Sequence, residues 1–222
     1  MFYGERISSI KNSDRVLEIG PGFTPHFRSN EFLEYRFGDL EVAMNQRGNV
    51  QSPPDFGNRK VTYYEGGTFP FQDNEFDYVI ASQVIEHTPD PKQFMSEVFR
   101  VGGGRGYIEF PLPAYEYLFD FDVHLSYVWF DADAGVLRYV KKRRELLDEF
   151  SSLTSGLRRG LEQGWDDLVR NNLTYFIDGI EFFNSFPVSE APSLSHYQRE
   201  WENSGNTVTR KVIRKLETLL PK

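Results

Sequence analysis

The sequence predicts an α/β fold in which helices flank a mostly parallel, doubly wound sheet. Two observations favour this fold class. The N-terminal half alternates short apolar runs of strand character with segments of helical character, and five such runs precede residue 111. The connections between the runs are short, as in units where a crossover helix joins two strands. Because parallel neighbours need such crossovers, the alternation indicates a parallel sheet rather than a meander of hairpins.

Each of the five predicted strands ends at a turn or a helix signal. The strands cover residues 16–19, 33–37, 61–64, 76–81 and 107–110. Proline marks the start of two intervening helices, at Pro25 and Pro91, because its fixed φ suits the first helical position. The helix from Pro91 carries an apolar stripe at i, i+4 spacing, which is typical of a helix packed on a sheet. A further helix is predicted over residues 41–46.

The pattern changes after residue 110. Residues 127–130 and 136–140 predict an antiparallel hairpin that supplies the last two strands of a seven-stranded sheet. A second hairpin is predicted around Asp178-Gly179, since this dipeptide favours a type I′ turn. Helices are predicted over residues 143–163 and 208–220. We therefore expect a C-terminal extension of helices and hairpins beyond the sheet.

The composition excludes several classes of protein. The chain of 222 residues has 25 Lys and Arg against 33 Asp and Glu, and this net charge of −8 argues against nucleic-acid or anionic-membrane partners. It has no cysteine, which excludes disulfides, thiol nucleophiles and Cys-ligated zinc. No window approaches 18 consecutive apolar residues, and the N-terminus lacks the apolar region of a signal peptide. We expect a cytoplasmic protein, and the sequence does not define its oligomeric state.

The most informative motif is the run Glu18-Ile19-Gly20-Pro21-Gly22 at the end of the first predicted strand. A glycine turn at this place lets backbone N–H groups approach a ligand closely. A dinucleotide site needs a third glycine where this chain has Pro25, which weakens that interpretation. An acid beside the turn suits a ligand with a positive group, such as the sulfonium and ammonium groups of S-adenosylmethionine.

A second acid, Asp39, lies 17 residues after Gly22 and follows the second predicted strand. In doubly wound folds, a carboxylate at this edge of the sheet binds the hydroxyls of a ribose. Since ligands lie across the carboxyl ends of the strands, we expect Glu18 and Asp39 to face one crevice. A plain turn role for Asp39 is the alternative, because Gly-Asp is common in turns.

Two segments of the chain together resemble a known family. Residues 18–22 are similar to motif I of the class I S-adenosylmethionine-dependent methyltransferases, and residues 69–110 resemble the type 11 branch of that family. The second resemblance comprises, in order, Phe69-Pro70-Phe71, Asp73, Phe76-Asp77, Ala81-Ser82, Glu86-His87 and Asp90-Pro91. It extends over about residues 14–112 and implies a Rossmann-like methyltransferase sheet.

The resemblance also implies roles for individual residues. Glu18, Gly20, Pro21 and Gly22 would line the methionine end of S-adenosylmethionine, Asp39 would hold its ribose, and Leu40 would cover a face of the adenine. The family often has an acid after the third strand that meets the adenine, and here either Glu65 replaces it or the adenine rests on Phe69. Ser82 would lie beside the sulfonium.

The expected reaction moves a methyl group to a small-molecule or sugar-type acceptor. His87 is the first candidate for a base that activates the acceptor and His124 the second, since an imidazole with an ordinary pKa near 6.5 suits proton transfer. A capping or packing role is the alternative for both histidines. No metal-ligating cluster is evident in the sequence, so we expect a metal-independent enzyme. Residues 1–142 would form the core, and residues 143–222 would cap the acceptor site.

Two rival functions stay open at this level. The first is a noncatalytic module that uses the methyltransferase fold for cofactor binding or for protein interaction. The second, a dinucleotide-dependent oxidoreductase, lacks the third glycine and a Tyr-x-x-x-Lys pair. The aromatic segment 115–130 is either core or the wall of a pocket, and we expect Tyr115, Tyr117 and Trp129 partly to face the crevice.

Overall fold

The computed structural model describes residues 3–22, 24–39, 42, 46, 55–143, 151–160, 166–195 and 197. Its main sheet has six strands in the order β3-β2-β1-β4-β5-β8. These strands are β1 (Val16–Ile19), β2 (Glu31–Tyr35), β3 (Lys60–Tyr64), β4 (Tyr78–Ser82), β5 (Gly106–Pro111) and β8 (Ile177–Phe182). The first five strands are parallel, and β8 runs antiparallel to β5. The predicted doubly wound, mostly parallel sheet is confirmed.

The central strands β1, β4 and β5 are buried on both faces, which explains their continuous apolar character in the sequence. The α-helix α1 (Pro91–Val101) packs on one face through Phe94, Met95 and Val98. The Asp90 side chain begins this helix by accepting a hydrogen bond from the Gln93 backbone N–H at 2.9 Å. Further helices are α2 (Pro113–Phe119), α3 (Ser151–Gly160) and α4 (Asp166–Asn171).

The predicted seven-stranded sheet is not what the described residues form. The first hairpin exists as β6 (Ser126–Asp131) and β7 (Val136–Lys141), but β7 pairs with β9 (Val188–Glu190) in a separate three-stranded sheet. Asp131 shapes the hairpin turn by accepting from the Ala134 N–H and from Arg138, both at 2.8 Å. Local turn chemistry therefore predicted the hairpin correctly but not the sheet that it joins.

The second predicted hairpin is wrong, because Asp178 and Gly179 lie inside the single strand β8. Their backbones pair with Phe110 and Glu109 of β5. A Cβ on Gly179 would lie 2.2 Å from the Tyr107 hydroxyl, so the glycine allows close approach of the two strands and does not form a turn. As a result, a segment beyond residue 142 completes the main sheet.

Several predicted helices have a different outcome. Residues 24–30 contain a bend at residue 24 and a turn at residues 27–28, so the helix predicted from Pro25 is absent from this described segment. The helix predicted over residues 143–163 is present as α3, over residues 151–160. Of the helix predicted over 41–46 only two residues are described, and the helix predicted over 208–220 lies outside the described residues.

The aromatic segment 115–130 contributes mainly to the core in this structure. Phe119, Tyr127 and Trp129 are buried, whereas Tyr117 is exposed and stacks on Tyr127. No helix in the described part of the chain is long and apolar enough to cross a membrane.

Candidate functional site

A pocket of about 480 Å³ opens at the carboxyl ends of the first four strands. This is the edge at which parallel sheets bind ligands, and the volume suits a nucleoside-sized molecule. Its wall combines the strand ends, the loops after β3 and β4, and the first turn of α1. The residues in the wall are Ile19, Gly20, Leu33, Glu34, Tyr35, Phe37, Gln46, Tyr64, Glu65, Gly66, Gly67, Phe69, Gln83, Val84, His87, Thr88, Pro89, Asp90, Gln93 and Phe94.

The glycine turn after β1 lies in the wall through Gly20. This residue has φ +56°, and a Cβ on it would lie 2.9 Å from Val84 Cγ2. Both the backbone conformation and the close approach therefore require glycine here. Pro21 and Gly22 follow but are not among the described residues of the wall, and a Cβ on Gly22 would meet no atom within 4 Å.

Glu18 is only 3% exposed, and its side chain turns to the protein rather than to the wall of the pocket. Its Oε2 accepts hydrogen bonds from the Ser29 hydroxyl at 2.6 Å and from the His26 backbone N–H at 2.8 Å. Burial raises the pKa of this carboxyl, although the two hydrogen bonds oppose the effect. In this arrangement Glu18 fixes the loop that follows the glycine turn.

Three acids that differ from the predicted pair line the pocket, namely Glu34, Glu65 and the helix-capping Asp90. Glu34 is 3% exposed and precedes the last residue of β2. Glu65 follows β3, and its Oε1 lies 3.8 Å from Arg36 Nε. The predicted Asp39 is exposed and outside the wall, and Leu40 is outside the described residues. The sequence missed Glu34 because it predicted β2 to end at residue 37, whereas the strand ends at Tyr35.

Phe69, which the resemblance places at the cofactor, lies in the wall of the pocket, and several contacts hold it there. It is buried and makes edge-to-face contacts with Tyr64 and Phe94, at centroid distances of 5.3 and 5.8 Å. Its backbone N–H donates to Glu97 Oε2 at 2.7 Å, and Arg100 donates to the same oxygen at 2.6 Å. The hydrogen bond from Arg100 lowers the pKa of Glu97, so helix α1 holds the Phe69 loop through an ionised carboxylate.

Ser82 ends β4 but points into a buried network. Its hydroxyl donates to Glu109 Oε1 at 2.7 Å, while the Tyr107 hydroxyl and the Tyr3 backbone N–H donate to Oε2 at 2.9 and 2.8 Å. Ser82 is accordingly not among the described residues of the wall. The next residue, Gln83, does line the pocket and has φ +58°, an uncommon conformation for a side-chain-bearing residue that marks a constrained loop.

His87 lies in the wall, and His124 lies behind it with the two ring centroids 4.4 Å apart. His87 Nδ1 is 3.2 Å from the Val123 carbonyl oxygen. Burial, with a smaller effect of His124, lowers the pKa of His87 to about 3. The sequence interpretation of His87 as a base assumed an ordinary pKa near 6.5, and that assumption is wrong in this environment.

The structure also brings together a group that the sequence did not predict. One donor atom each from Glu86, His87 and His124 lies within 4.8 Å of the others, and we name these residues the acid–histidine cluster. Glu86 is fully buried, and burial raises the pKa of its carboxyl well above the ordinary value. The separation of 37 positions from His87 to His124 hid this cluster from motif analysis.

Tyr115, Tyr117 and Trp129 do not line the pocket, contrary to expectation. No residue of the described part of the chain beyond Phe94 belongs to its wall. Trp129 is 2% exposed within the main core, and Tyr115 packs against the second apolar cluster around Tyr107. The strand β6 of this aromatic segment belongs to the separate sheet with β7 and β9, and not to the main sheet whose strand ends form the pocket.

The parallel sheet, its glycine turn and the pocket at the strand ends define a Rossmann-like α/β fold. Residues 17–110 match the type 11 family model that is described as a methyltransferase domain. This match over less than half of the chain agrees with the family that the resemblance indicated.

Individual relatives agree with this assignment over part of the chain. A rice protein (Oryza sativa subsp. japonica) described as "Probable tocopherol O-methyltransferase, chloroplastic" is 30% identical over 96 residues. The match spans 41% of this chain and 26% of the rice protein.

Solved structures of S-adenosylmethionine-dependent methyltransferases are also similar to this chain. One from Mesorhizobium loti is 17% identical, with a TM-score of 0.31 over 60% of this chain and 59% of that one. Another, from Methanosarcina mazei, is 18% identical, with a TM-score of 0.32 over 57% and 70%.

Proposed function

We propose that this protein transfers a methyl group from S-adenosylmethionine to a small-molecule or sugar-type acceptor in the cytoplasm. The observation that carries the proposal is the pocket at the carboxyl ends of β1 to β4, with Gly20 at its rim in a conformation that only glycine adopts easily. The family match over residues 17–110 supports the same activity. The acceptor class rests on the charge of −8, which disfavours nucleic acids.

The chemical types of the side chains in the pocket fit S-adenosylmethionine. The aromatic side chains of Tyr35, Tyr64 and Phe69 offer flat apolar surface for an adenine, and Glu34 and Glu65 offer carboxylates for hydroxyl or amino groups. The missing side chain of Gly20 leaves the backbone accessible. When bound, the cofactor supplies a methyl group on a sulfonium, which is already a strong leaving group.

The chain's own contribution is then alignment and exclusion of water. The Glu97 carboxylate, held by Arg100, fixes the position of the Phe69 loop, and Glu109 fixes the end of β4 through Ser82. Glu18 does not line the pocket, but it holds the loop after the glycine turn through its hydrogen bonds from His26 and Ser29. The roles of Asp39, Pro21, Gly22 and Leu40 at the cofactor remain those that the family resemblance implies.

His87 is the histidine in position to meet an acceptor, because it lines the pocket and His124 does not. With a pKa of about 3 it is neutral at physiological pH. A neutral imidazole with so low a pKa accepts a hydrogen bond from an acceptor hydroxyl and orients it, but it is a weak base. We therefore assign His87 to orientation of the acceptor and His124 to its support.

The segment 143–222 is proposed to cap the acceptor site, as the sequence analysis expects. Its described part supplies β8 to the main sheet and β9 to the second sheet, which ties it to the core. Metal independence of the methyl transfer stays a prediction from the sequence.

Isothermal titration of the protein with S-adenosylhomocysteine tests the cofactor site. We expect a micromolar Kd, about −7 to −9 kcal/mol. Gly20→Ala should weaken binding at least about 10-fold, since the new Cβ would press on Val84 and strain a positive φ. Gly156→Ala is the matched control, because a Cβ there meets no atom within 4 Å and α3 lies outside the wall of the pocket.

Two further variants identify the acid that holds the ribose. Asp39→Ala should cost about 1–3 kcal/mol of affinity if Asp39 binds the ribose hydroxyls, and Glu34→Gln should cost as much if Glu34 does. Unchanged affinity in both variants would remove these acids from the site. Turnover on a panel of small acceptors then separates the enzyme from a noncatalytic cofactor-binding module, which would bind and not turn over.

A further inference from the structure

The acid–histidine cluster contains a buried carboxylate that the fold leaves unsatisfied. Glu86 is 0% exposed, and neither of its carboxylate oxygens makes a hydrogen bond to another described residue. Burying such a group without a partner is costly, and native proteins rarely leave one unpaired. An orphaned carboxylate beside two imidazoles therefore points to a ligand that the carboxylate meets.

The two segments that carry the cluster are fixed against each other by backbone contacts. The Leu125 N–H donates to the Glu86 carbonyl oxygen at 2.7 Å, and the His87 ring contacts the Val123 carbonyl oxygen. These contacts place His124, which lies between Val123 and Leu125, beside the Glu86-His87 turn. The three side chains are thus held together by structure outside the cluster.

The outer contacts of each histidine also match those of metal ligands. His87 Nδ1 donates to the Val123 carbonyl oxygen at 3.2 Å in the tautomer whose Nε2 carries the lone pair, and Nε2 lies 3.9 Å from Glu86 Oε1. Metal-bound histidines almost always give their other ring N–H to a carbonyl or carboxylate in this way. Such a neutral imidazole is the form that ligates a metal.

His124 has the carboxylate version of the same arrangement. Its Nδ1 lies 2.5 Å from Glu116 Oε1, and the other Glu116 oxygen accepts from Lys142 Nζ at 2.5 Å. Glu116 and the Lys142 side chain are 0% and 1% exposed, so this chain of contacts is internal. With Nδ1 engaged by Glu116, Nε2 is the nitrogen of His124 that we assign to a ligand.

We propose that Glu86, His87 and His124 bind a divalent transition-metal ion, with Zn²⁺ as the reference ion. Two imidazoles and one carboxylate form a donor set typical of zinc and of related first-row metals, whereas Mg²⁺ prefers oxygen ligands. In a tetrahedral zinc site the donor atoms lie about 3.4 Å apart. The donors of the cluster lie within 4.8 Å of one another, so they need to close by at most about 1.4 Å.

The consequence for catalysis rests on the proposed function. Because His87 belongs both to the cluster and to the wall of the pocket, an ion held there would border the space for an acceptor. A bound cation lowers the pKa of a hydroxyl that reaches it, and it would replace the weakly basic His87 as the group that meets the acceptor oxygen. The site would then select acceptors that present a hydroxyl, and the expectation of metal independence would be replaced.

Metal titration of the full chain tests the site without any reaction. Tag-free protein stripped with EDTA is titrated with ZnCl₂ and, separately, with MgCl₂ by calorimetry. We expect one equivalent of Zn²⁺ to bind and Mg²⁺ to bind far more weakly. Glu86→Gln, His87→Ala and His124→Ala should each weaken Zn²⁺ binding at least about 10-fold. His26→Ala, which removes a histidine outside the cluster, should leave zinc binding unchanged.

A spectroscopic readout on the wild-type chain covers the case in which a variant does not fold. Co²⁺ bound in place of zinc should give the intense visible absorption of a tetrahedral N/O site, and Zn²⁺ should remove it. Absence of that spectrum, no zinc uptake by the wild-type chain, or equal zinc affinity in Glu86→Gln would each overturn the proposal.

Titration of the same preparations with S-adenosylhomocysteine separates the two proposals. If the protein binds zinc but not S-adenosylhomocysteine, the metal site is supported and the methyltransferase function is rejected. The reverse result would leave the function standing and remove the metal site.

Discussion

Glu109 and Glu86 are both 0% exposed, but the hydrogen-bond donors around the two carboxylates differ. Glu109 accepts hydrogen bonds from Ser82, Tyr107 and the Tyr3 backbone, so it ties the N-terminus, β4 and β5 together. Glu86 makes no hydrogen bond to another described residue and faces two histidines instead. Burial alone therefore does not show what a carboxylate does, and the donors around it separate a structural acid from a ligand-binding one.

The largest effect is expected when the satisfied acid is removed. Glu109→Ala leaves the Tyr107 hydroxyl and the Ser82 hydroxyl without their acceptor, and each buried unsatisfied donor costs about 1–3 kcal/mol. Urea denaturation should show a loss of about 3 kcal/mol or more in the free energy of unfolding. Glu109→Gln, which keeps one acceptor oxygen, should lose less, and equal losses would contradict the hydrogen-bond explanation.

An intermediate effect is expected at Glu97, a carboxylate in a mostly buried ion pair with Arg100. At about pH 7, Glu97→Gln should lower the free energy of unfolding by about 1–2 kcal/mol, since the side chain of Arg100 is partly exposed. Because the hydrogen bond with Arg100 lowers the pKa of Glu97, the folded state holds the ionised form more tightly than the unfolded state. This stability is present above the ordinary pKa of 4.5 and is lost as pH falls through the lowered folded value.

Unfolding curves at a series of pH values check the sign at Glu97. The difference between wild type and Glu97→Gln should stay constant from about pH 7 to about pH 5 and shrink below that pH, and a difference that grows toward acid would refute the assignment. Asp73→Asn is the control, since Asp73 contacts Arg100 but its side chain is 74% exposed. That variant should change stability by less than about 1 kcal/mol.

The smallest effect is expected at Glu86. In EDTA, Glu86→Gln should change the free energy of unfolding by less than about 1 kcal/mol, because no hydrogen bond to another described residue is lost. The wild-type chain, by contrast, should gain melting temperature on addition of Zn²⁺, while the variant should not. A loss in EDTA as large as that of Glu109→Ala would mean that Glu86 has a structural role after all.

The features that could be predicted from the sequence are those that depend on neighbouring residues. The apolar runs of the five parallel strands, the start of α1 at Pro91 and the turn at Gly20 each follow from local patterns, and the structure confirms them. The family match over residues 17–110 rests on the same local segments. A glycine turn or a helix cap is encoded within a few residues because φ and hydrogen-bond reach are local properties.

Tertiary structure decided which distant segments meet. It placed β6 and β7 in a separate sheet, drew Asp178 and Gly179 into β8, and ended β2 early enough to put Glu34 in the pocket. It also set His124 beside the Glu86-His87 turn, although 37 positions of the chain separate His87 from His124. Burial in this environment lowers the pKa of His87 to about 3. Strand partners, burial and the resulting electrostatics are sums over long-range contacts, and no local pattern in the sequence contains them.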